Sequence, residues 1–129
     1  MTIPMLQAVE ADGTSWDDPT EEQLHDLLAD MTLTSRFVIV RRLDLSPADQ
    51  HYMQVYLNDD LSYQVEYREG GPEKHFQAWV DTRDQGPFAV EPVAEVLRGW
   101  AFGRASWRQA LPWVPFAAPL PDRAFHPRF

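Results

Sequence analysis

The spacing of hydrophobic residues changes character along the chain. Leu24, Leu27, Leu28 and Met31 recur at i, i+3, i+4 and i+7, the apolar stripe of an amphipathic helix. Asp18-Pro19-Thr20-Glu21 precedes the stripe and supplies a capping aspartate, a proline suited to the first helical position and a capping-box acid in Glu21. The run from Arg36 to Leu43 is β-branched and reads as a well-buried strand. From His51 the period becomes two. Met53, Val55 and Leu57 alternate with Tyr52, Gln54 and Tyr56; Leu61, Tyr63, Val65 and Tyr67 with Ser62, Gln64, Glu66 and Arg68; Phe76, Ala78 and Val80 with His75, Gln77, Trp79 and Asp81. Three such segments in succession predict an antiparallel meander with one buried face. Ser46-Pro47-Ala48-Asp49 carries a capping signature for a single helical turn or a short helix, so residues 46–57 stay open between strand and helix.

Parity constrains the register, because a slip of one residue moves every side chain to the other face. A two-residue turn at Asp59-Asp60 would set Leu57 against Ser62, apolar against polar. A three-residue turn, Asn58-Asp59-Asp60, pairs Leu57 with Leu61, Val55 with Tyr63 and Met53 with Val65, and is the expected one. In the next hairpin a loop at Gly70-Gly71-Pro72-Glu73 pairs Tyr67 with Phe76 and Val65 with Ala78.

Beyond a loop from Thr82 to Val90, Pro92 opens a second helix with Val93, Val96, Leu97 and Trp100 at helical spacing. Gly99 weakens this helix and Gly103 ends it. One or two turns follow between Ala105 and Leu111, and Trp107 and Trp113 are placed to clamp the chain's end onto the body. Residues 112–129 interleave five prolines with aromatic and aliphatic side chains, which predicts an extended segment packed on the domain, or crossing to a second copy. The expected architecture is therefore one α+β domain over residues 1–129: an antiparallel meander of about four strands, an N-terminal and a C-terminal helix, and a Pro-rich tail.

Composition narrows the function. The 129 residues are 44% apolar and 24% charged, a globular balance, and contain no cysteine. Disulfides, thiolate metal sites and cysteine nucleophiles are thereby excluded. No apolar run approaches the roughly 18 residues of a membrane span. Acids stand at the N-terminus where a secretion signal carries bases, so a cytoplasmic location is expected. The net charge of −9 is concentrated in residues 1–30, which hold Glu10, Asp12, Asp17, Asp18, Glu21, Glu22, Asp26 and Asp30 and no Lys or Arg. Nucleic acid is a poor match for that end, and a basic protein partner a better one. Within it Glu22, Asp26 and Asp30 repeat every four residues on the face of the helix opposite its apolar stripe, where a helix built for stability alone would mix in lysines.

Phosphate-binding, serine-hydrolase and zinc-protease motifs are absent, and the four histidines are too dispersed for ligand spacing, so neither metal nor cofactor is expected. The meander register sets Arg68 opposite His75, Glu66 opposite Gln77 and Gln64 opposite Trp79 on the non-core face. Glu66, Arg68 and His75 are candidates for ligand binding or acid–base chemistry, provided a cleft excludes water there. Tyr52, Tyr56 and Trp79 on the same face are residue types that anchor protein interfaces, and equally types that lie beneath a covering segment.

The segments His51-Tyr52-Met53-Gln54-Val55, Val65-Glu66-Tyr67-Arg68-Glu69-Gly70, His75-Phe76, Gly99-Trp100-Ala101 and Trp107-Arg108 resemble a group of small actinobacterial proteins. More loosely, the chain is similar to the α+β immunity proteins of bacterial polymorphic-toxin systems, which bind and block a cognate toxin. The resemblance spans about residues 50–113, carries no catalytic residue, and leaves out the acidic helix and the Pro-rich extension. The carboxylate row at 22, 26 and 30 and the aromatic–amide face of the sheet lead us to expect a non-enzymatic binding protein, immunity-like or chaperone-like, monomeric or homodimeric. Partner contacts are expected from Glu22, Asp26 and Asp30 on the acidic helix and from Tyr52, Tyr56 and Trp79 on the sheet. The alternative is a ligand-binding protein or enzyme that uses Glu66, Arg68 and His75.

Overall fold

A computed structural model describes residues 4–116. Strands β1 (Leu6–Glu10) and β2 (Ser15–Asp17) form a hairpin, followed by helix α1 (Glu21–Ala29) and strand β3 (Phe37–Arg42). Strands β4 (His51–Leu57), β5 (Tyr63–Glu69) and β6 (His75–Val80) complete the meander. Helices α2 (Glu91–Ala101) and α3 (Trp107–Ala110) and a short strand β7 (Val114–Pro115) follow. The strands make one antiparallel sheet in the order β2-β1-β3-β4-β5-β6-β7. The α+β class and the antiparallel sheet agree with expectation, but the sheet has seven strands rather than about four.

Two of the extra strands lie at the N-terminus. Gly13, at φ +90°, allows the turn between them, and Asp12 accepts the Thr14 amide at 2.8 Å. An Asp-Gly pair flanked by alternating residues is a strong hairpin signal, and Leu6 and Ala8 turn inward as that alternation requires. A third is β7, which lies antiparallel to β6 with Pro115 opposite Phe76 and Val114 opposite Gln77. The first residues of the Pro-rich segment are thus extended along the sheet edge, where proline's missing donor is tolerated. The expectations for residues 117–129 lie outside the described residues.

Helix α1 begins two residues later than its capping signature suggested. Thr20 is the N-cap, and Gln23 returns the bond in a complete capping box. Asp18 stands outside the helix at φ +47°, and its carboxylate accepts the amides of Met5 and Leu6 at 2.9 and 3.0 Å. It therefore ties β1 to the helix entry instead of capping it. Residues 46–49 form a turn with a cis Ser46–Pro47 bond and no helix, and His51–Leu57 is a strand.

The second hairpin has the expected register, with Tyr67 opposite Phe76, Val65 opposite Ala78 and Arg68 opposite His75. The first is shifted by two residues. Leu57 faces Tyr63, Val55 faces Val65 and Met53 faces Tyr67, so the connection has five residues, 58–62. Parity permits either odd length, and local bonding decides between them. Ser62 Oγ donates to Asp60 and accepts from Asn58 Nδ2 at 3.0 Å and Trp79 Nε1 at 2.7 Å, so Ser62 is drawn into the turn. Leu61 takes φ +71° and is 53% exposed, outside the core that the alternation assigned to it.

Helices α1 and α2 pack on each other and on the sheet face formed by Val38, Val40, Met53, Val55, Val65 and Tyr67. Trp100 and Trp107 belong to this core, and Trp113 packs against it. Trp107 and Trp113 meet the Tyr67 ring edge-on at 4.8 and 4.7 Å, consistent with the clamp. Gly99 of α2 lies where a side chain would be crowded, since a Cβ there would stand 3.3 Å from the Cβ of Trp107. Among the described residues no helix is long and apolar enough to cross a membrane.

Candidate functional site

Strand alternation divides the candidate residues between two surfaces. The side of the sheet facing away from the helices carries three transverse rows. One runs Gln7, Arg41, Tyr52, Arg68, His75; the next Val9, Ile39, Gln54, Glu66, Gln77; the third Phe37, Tyr56, Gln64, Trp79. Glu22 and Asp26 belong to α1 and Asp30 is its C-cap, and all three lie on the opposite side. One continuous surface combining the acidic helix with the sheet aromatics is therefore not formed, because the sheet itself separates them.

On the back face Glu66, His75 and Arg68 form a connected chain of hydrogen bonds. The carboxylate of Glu66 is 3.1 Å from His75 Nε2, and Arg68 donates through Nε and a terminal nitrogen to His75 Nδ1 at 3.2 and 3.1 Å. A guanidinium can only donate, so Nδ1 must present its lone pair and Nε2 carries the proton toward Glu66. Arg68 also donates to Gln50 at 2.9 Å. Glu66 is 2% exposed and His75 7%. The sequence-level expectation brought these three residues together, and the structure does so, but both ring nitrogens are engaged. The arrangement holds the imidazole in place and leaves it no nitrogen with which to accept a substrate proton.

The neighbouring amides extend this network. Gln64 donates to Gln77 at 2.9 Å, and Gln77 donates to the Phe116 carbonyl at 3.0 Å. Phe116 donates its own amide to the His75 carbonyl at 2.8 Å and lays its ring against the imidazole at 4.4 Å. The C-terminal segment thus passes from Trp113 on the helical side, around the β6 edge, to Phe116 on the back. Gln54, Gln64 and Gln77 are buried, so this part of the face is not the solvated surface its polarity suggests. Tyr56 is buried too, with its hydroxyl accepting from Arg36 at 3.1 Å, whereas Tyr52 and Trp79 are half-buried. The sequence places Gln77 opposite Glu66 on this face without giving it a role, and does not point to Gln50 or Phe116 as members of the network. Gln77 shares its strand with His75 at a spacing of two, and that parity was the available signal.

On the helical side Glu22, Asp26 and Asp30 are all exposed. The cations nearby already have partners: Arg104 holds Glu21 at 2.6 Å and Arg98 holds Glu95 at 2.8 Å. His25 bridges the helices, with Nε2 2.5 Å from Glu91 and Nδ1 3.6 Å from Asp26. The hydrogen bond to Glu91 raises the imidazole's affinity for a proton above its ordinary value, against the smaller opposing effect of burial. Among the described residues Glu22 and Asp30 meet no basic side chain within 4 Å, and Asp26 meets only His25. Much of the remaining N-terminal acidity is structural: Asp12 and Asp18 accept backbone amides, and Glu10 accepts from Trp16.

Among the described residues no group of three or more His, Asp or Glu side chains is arranged to hold a metal ion. Comparison of the chain with protein-family models, with curated proteins and with solved structures found no match to any of them.

Proposed function

We propose that this chain is a non-enzymatic binding protein that takes a basic protein partner on its helical side, in the manner of an immunity protein. One observation carries the reading: Glu22, Asp26 and Asp30 stand exposed along one side of the helix, and no lysine or arginine among the described residues neutralises them. Like charges four residues apart cost a helix a few tenths of a kcal/mol per pair, about 0.2–0.5 in peptides, and a cationic partner converts that cost into attraction. The alternative of a ligand-binding protein or enzyme working through Glu66, Arg68 and His75 has weaker support, because the imidazole is buried and both of its nitrogens are occupied.

The test compares the intact chain with its E22Q/D26N/D30N variant as bait in native lysate at low salt. A single basic protein retained by the parent, released at moderate salt and absent from the variant supports the proposal. Equal retention of the same protein by both baits overturns it.

A further inference from the structure

Apart from the acidic helix, the back face holds a second feature with the chemistry of a binding site. We propose that the cavity lined by Val9, Ile39, Arg41, Asp49 and Tyr52 binds a small organic carboxylate with an apolar or aromatic body. Its volume is about 340 Å³, room for a molecule the size of a substituted benzoate. Val9, Ile39 and the Tyr52 ring give it apolar walls, and Arg41 gives it a cation.

The state of that cation singles out this cavity. Arg36, Arg42, Arg83, Arg98, Arg104 and Arg108 each hold a carboxylate at close hydrogen-bond distance. Among the described residues Arg41 reaches a carboxylate only at Asp49, at 3.4 Å, and its other terminal nitrogen donates to the neutral amide of Gln7. Its Nε–H is shielded from water and, among the described residues, meets no acceptor; Arg98 Nε is in the same state, so it is the long contact to Asp49 at the terminal nitrogens that distinguishes Arg41. Across the Tyr52 ring lies Arg68, 5.8 Å from the ring centroid, which among the described residues has no carboxylate within 4 Å. In a chain of net charge −9, two arginines in one transverse row therefore flank a tyrosine, and among the described residues these two arginines share a single long contact to an acid. Arginine recognises carboxylates through paired, parallel hydrogen bonds, which a point contact at 3.4 Å does not provide.

Asp49 is the side chain a ligand would replace. It is 72% exposed, sits in a turn at φ +64°, and can swing into solvent without disturbing the sheet. The site is independent of the partner proposal, since it lies on the other side of the sheet from α1.

Benzoate is the probe, followed through the Arg41 Nε–H resonance and the Tyr52 ring resonances of the intact chain, with benzamide and inorganic phosphate as comparisons. Benzoate is expected to shift these signals saturably, and benzamide and phosphate are not. Arg41→Gln is expected to abolish the response with the rest of the spectrum intact. Asp49→Asn removes the competing carboxylate, suits the left-handed turn, and is expected to tighten benzoate several-fold. Absence of a saturable shift with both the parent and Asp49→Asn overturns the proposal. An equal response to benzamide removes the role of charge and also overturns it, and an equal response to phosphate removes the role of the apolar walls with the same result.

Discussion

Replacing Gly99 by alanine sets two known effects against each other at one position. In an exposed helix interior the change gains about 0.8–1.0 kcal/mol, because alanine restricts the unfolded chain and glycine does not. Gly99, however, faces α3, and the added methyl would stand 3.3 Å from the Cβ of Trp107, tighter than an ordinary contact. That neighbour is anchored to backbone and has little room to give way. Trp107 is wedged against Tyr67 at 4.8 Å and Trp113 at 6.0 Å, with the Arg108 guanidinium 4.5 Å over its ring. Overpacking at such a site costs about 1–3 kcal/mol, so the net expectation for Gly99→Ala runs from neutral to a loss of about 2 kcal/mol. Urea unfolding followed by far-UV and tryptophan signals would read this as a lower midpoint at unchanged slope. A midpoint raised by the full helix-propensity gain, with the tryptophan environment unchanged, would refute the claim that α2 and α3 need glycine to approach.

Further tests address the network, the helix pair and the N-terminus. Glu66→Ala removes the acceptor of His75 Nε2–H and leaves a cavity, for an expected loss of about 3 kcal/mol, whereas Glu66→Gln keeps an acceptor oxygen and should lose much less; equal losses in urea melts would count against the hydrogen-bonded role. Because Glu91 raises the proton affinity of His25 in the folded state, that pairing contributes fully below the unfolded value near 6.5 and is lost as pH rises through the higher folded value. The stability difference between the parent and His25→Gln should therefore shrink from pH 6 to pH 8, and a difference that grows would reverse the assignment. Asp18→Ala loses two amide contacts and places alanine at positive φ, an expected cost of about 2 kcal/mol by thermal or urea unfolding, while Asp18→Asn, which keeps an acceptor and tolerates that conformation, should be milder.

The meander was legible because alternation in β4, β5 and β6 is nearly unbroken, and the Gly70-Gly71 turn left one sensible pairing for the second hairpin. At the first hairpin alternation distinguishes odd loops from even but not three residues from five; the side chains of Asn58, Asp60 and Ser62 made that choice. Glu66, Arg68 and His75 could be grouped from parity alone. Their burial could not, since amides and charges at every second position look the same whether the face meets water or the chain's own later residues. Phe116 lies far from His75 along the chain, and no local pattern reports that its ring rests on the imidazole. The opposite placement of α1 and the sheet aromatics has the same origin, because the face a helix covers is set by tertiary packing.

The strand order also bears on how the molecule assembles. From β3 to β6 each strand pairs with the next along the chain, so these pairings close short loops and carry little entropic penalty. Strand β1 must instead find β3 across β2 and α1, a longer closure made against an edge that already exists. Folding is thus expected to begin in the central hairpins, with the N-terminal hairpin and β7, each separated from its partner strand by a long stretch of chain, docking later. In native-state hydrogen exchange the amides of β1 and β2 should open at lower free energy than those of β4 and β5. The acidic helix, threaded between the late strand and the early ones, would then take its place only after the central hairpins have formed.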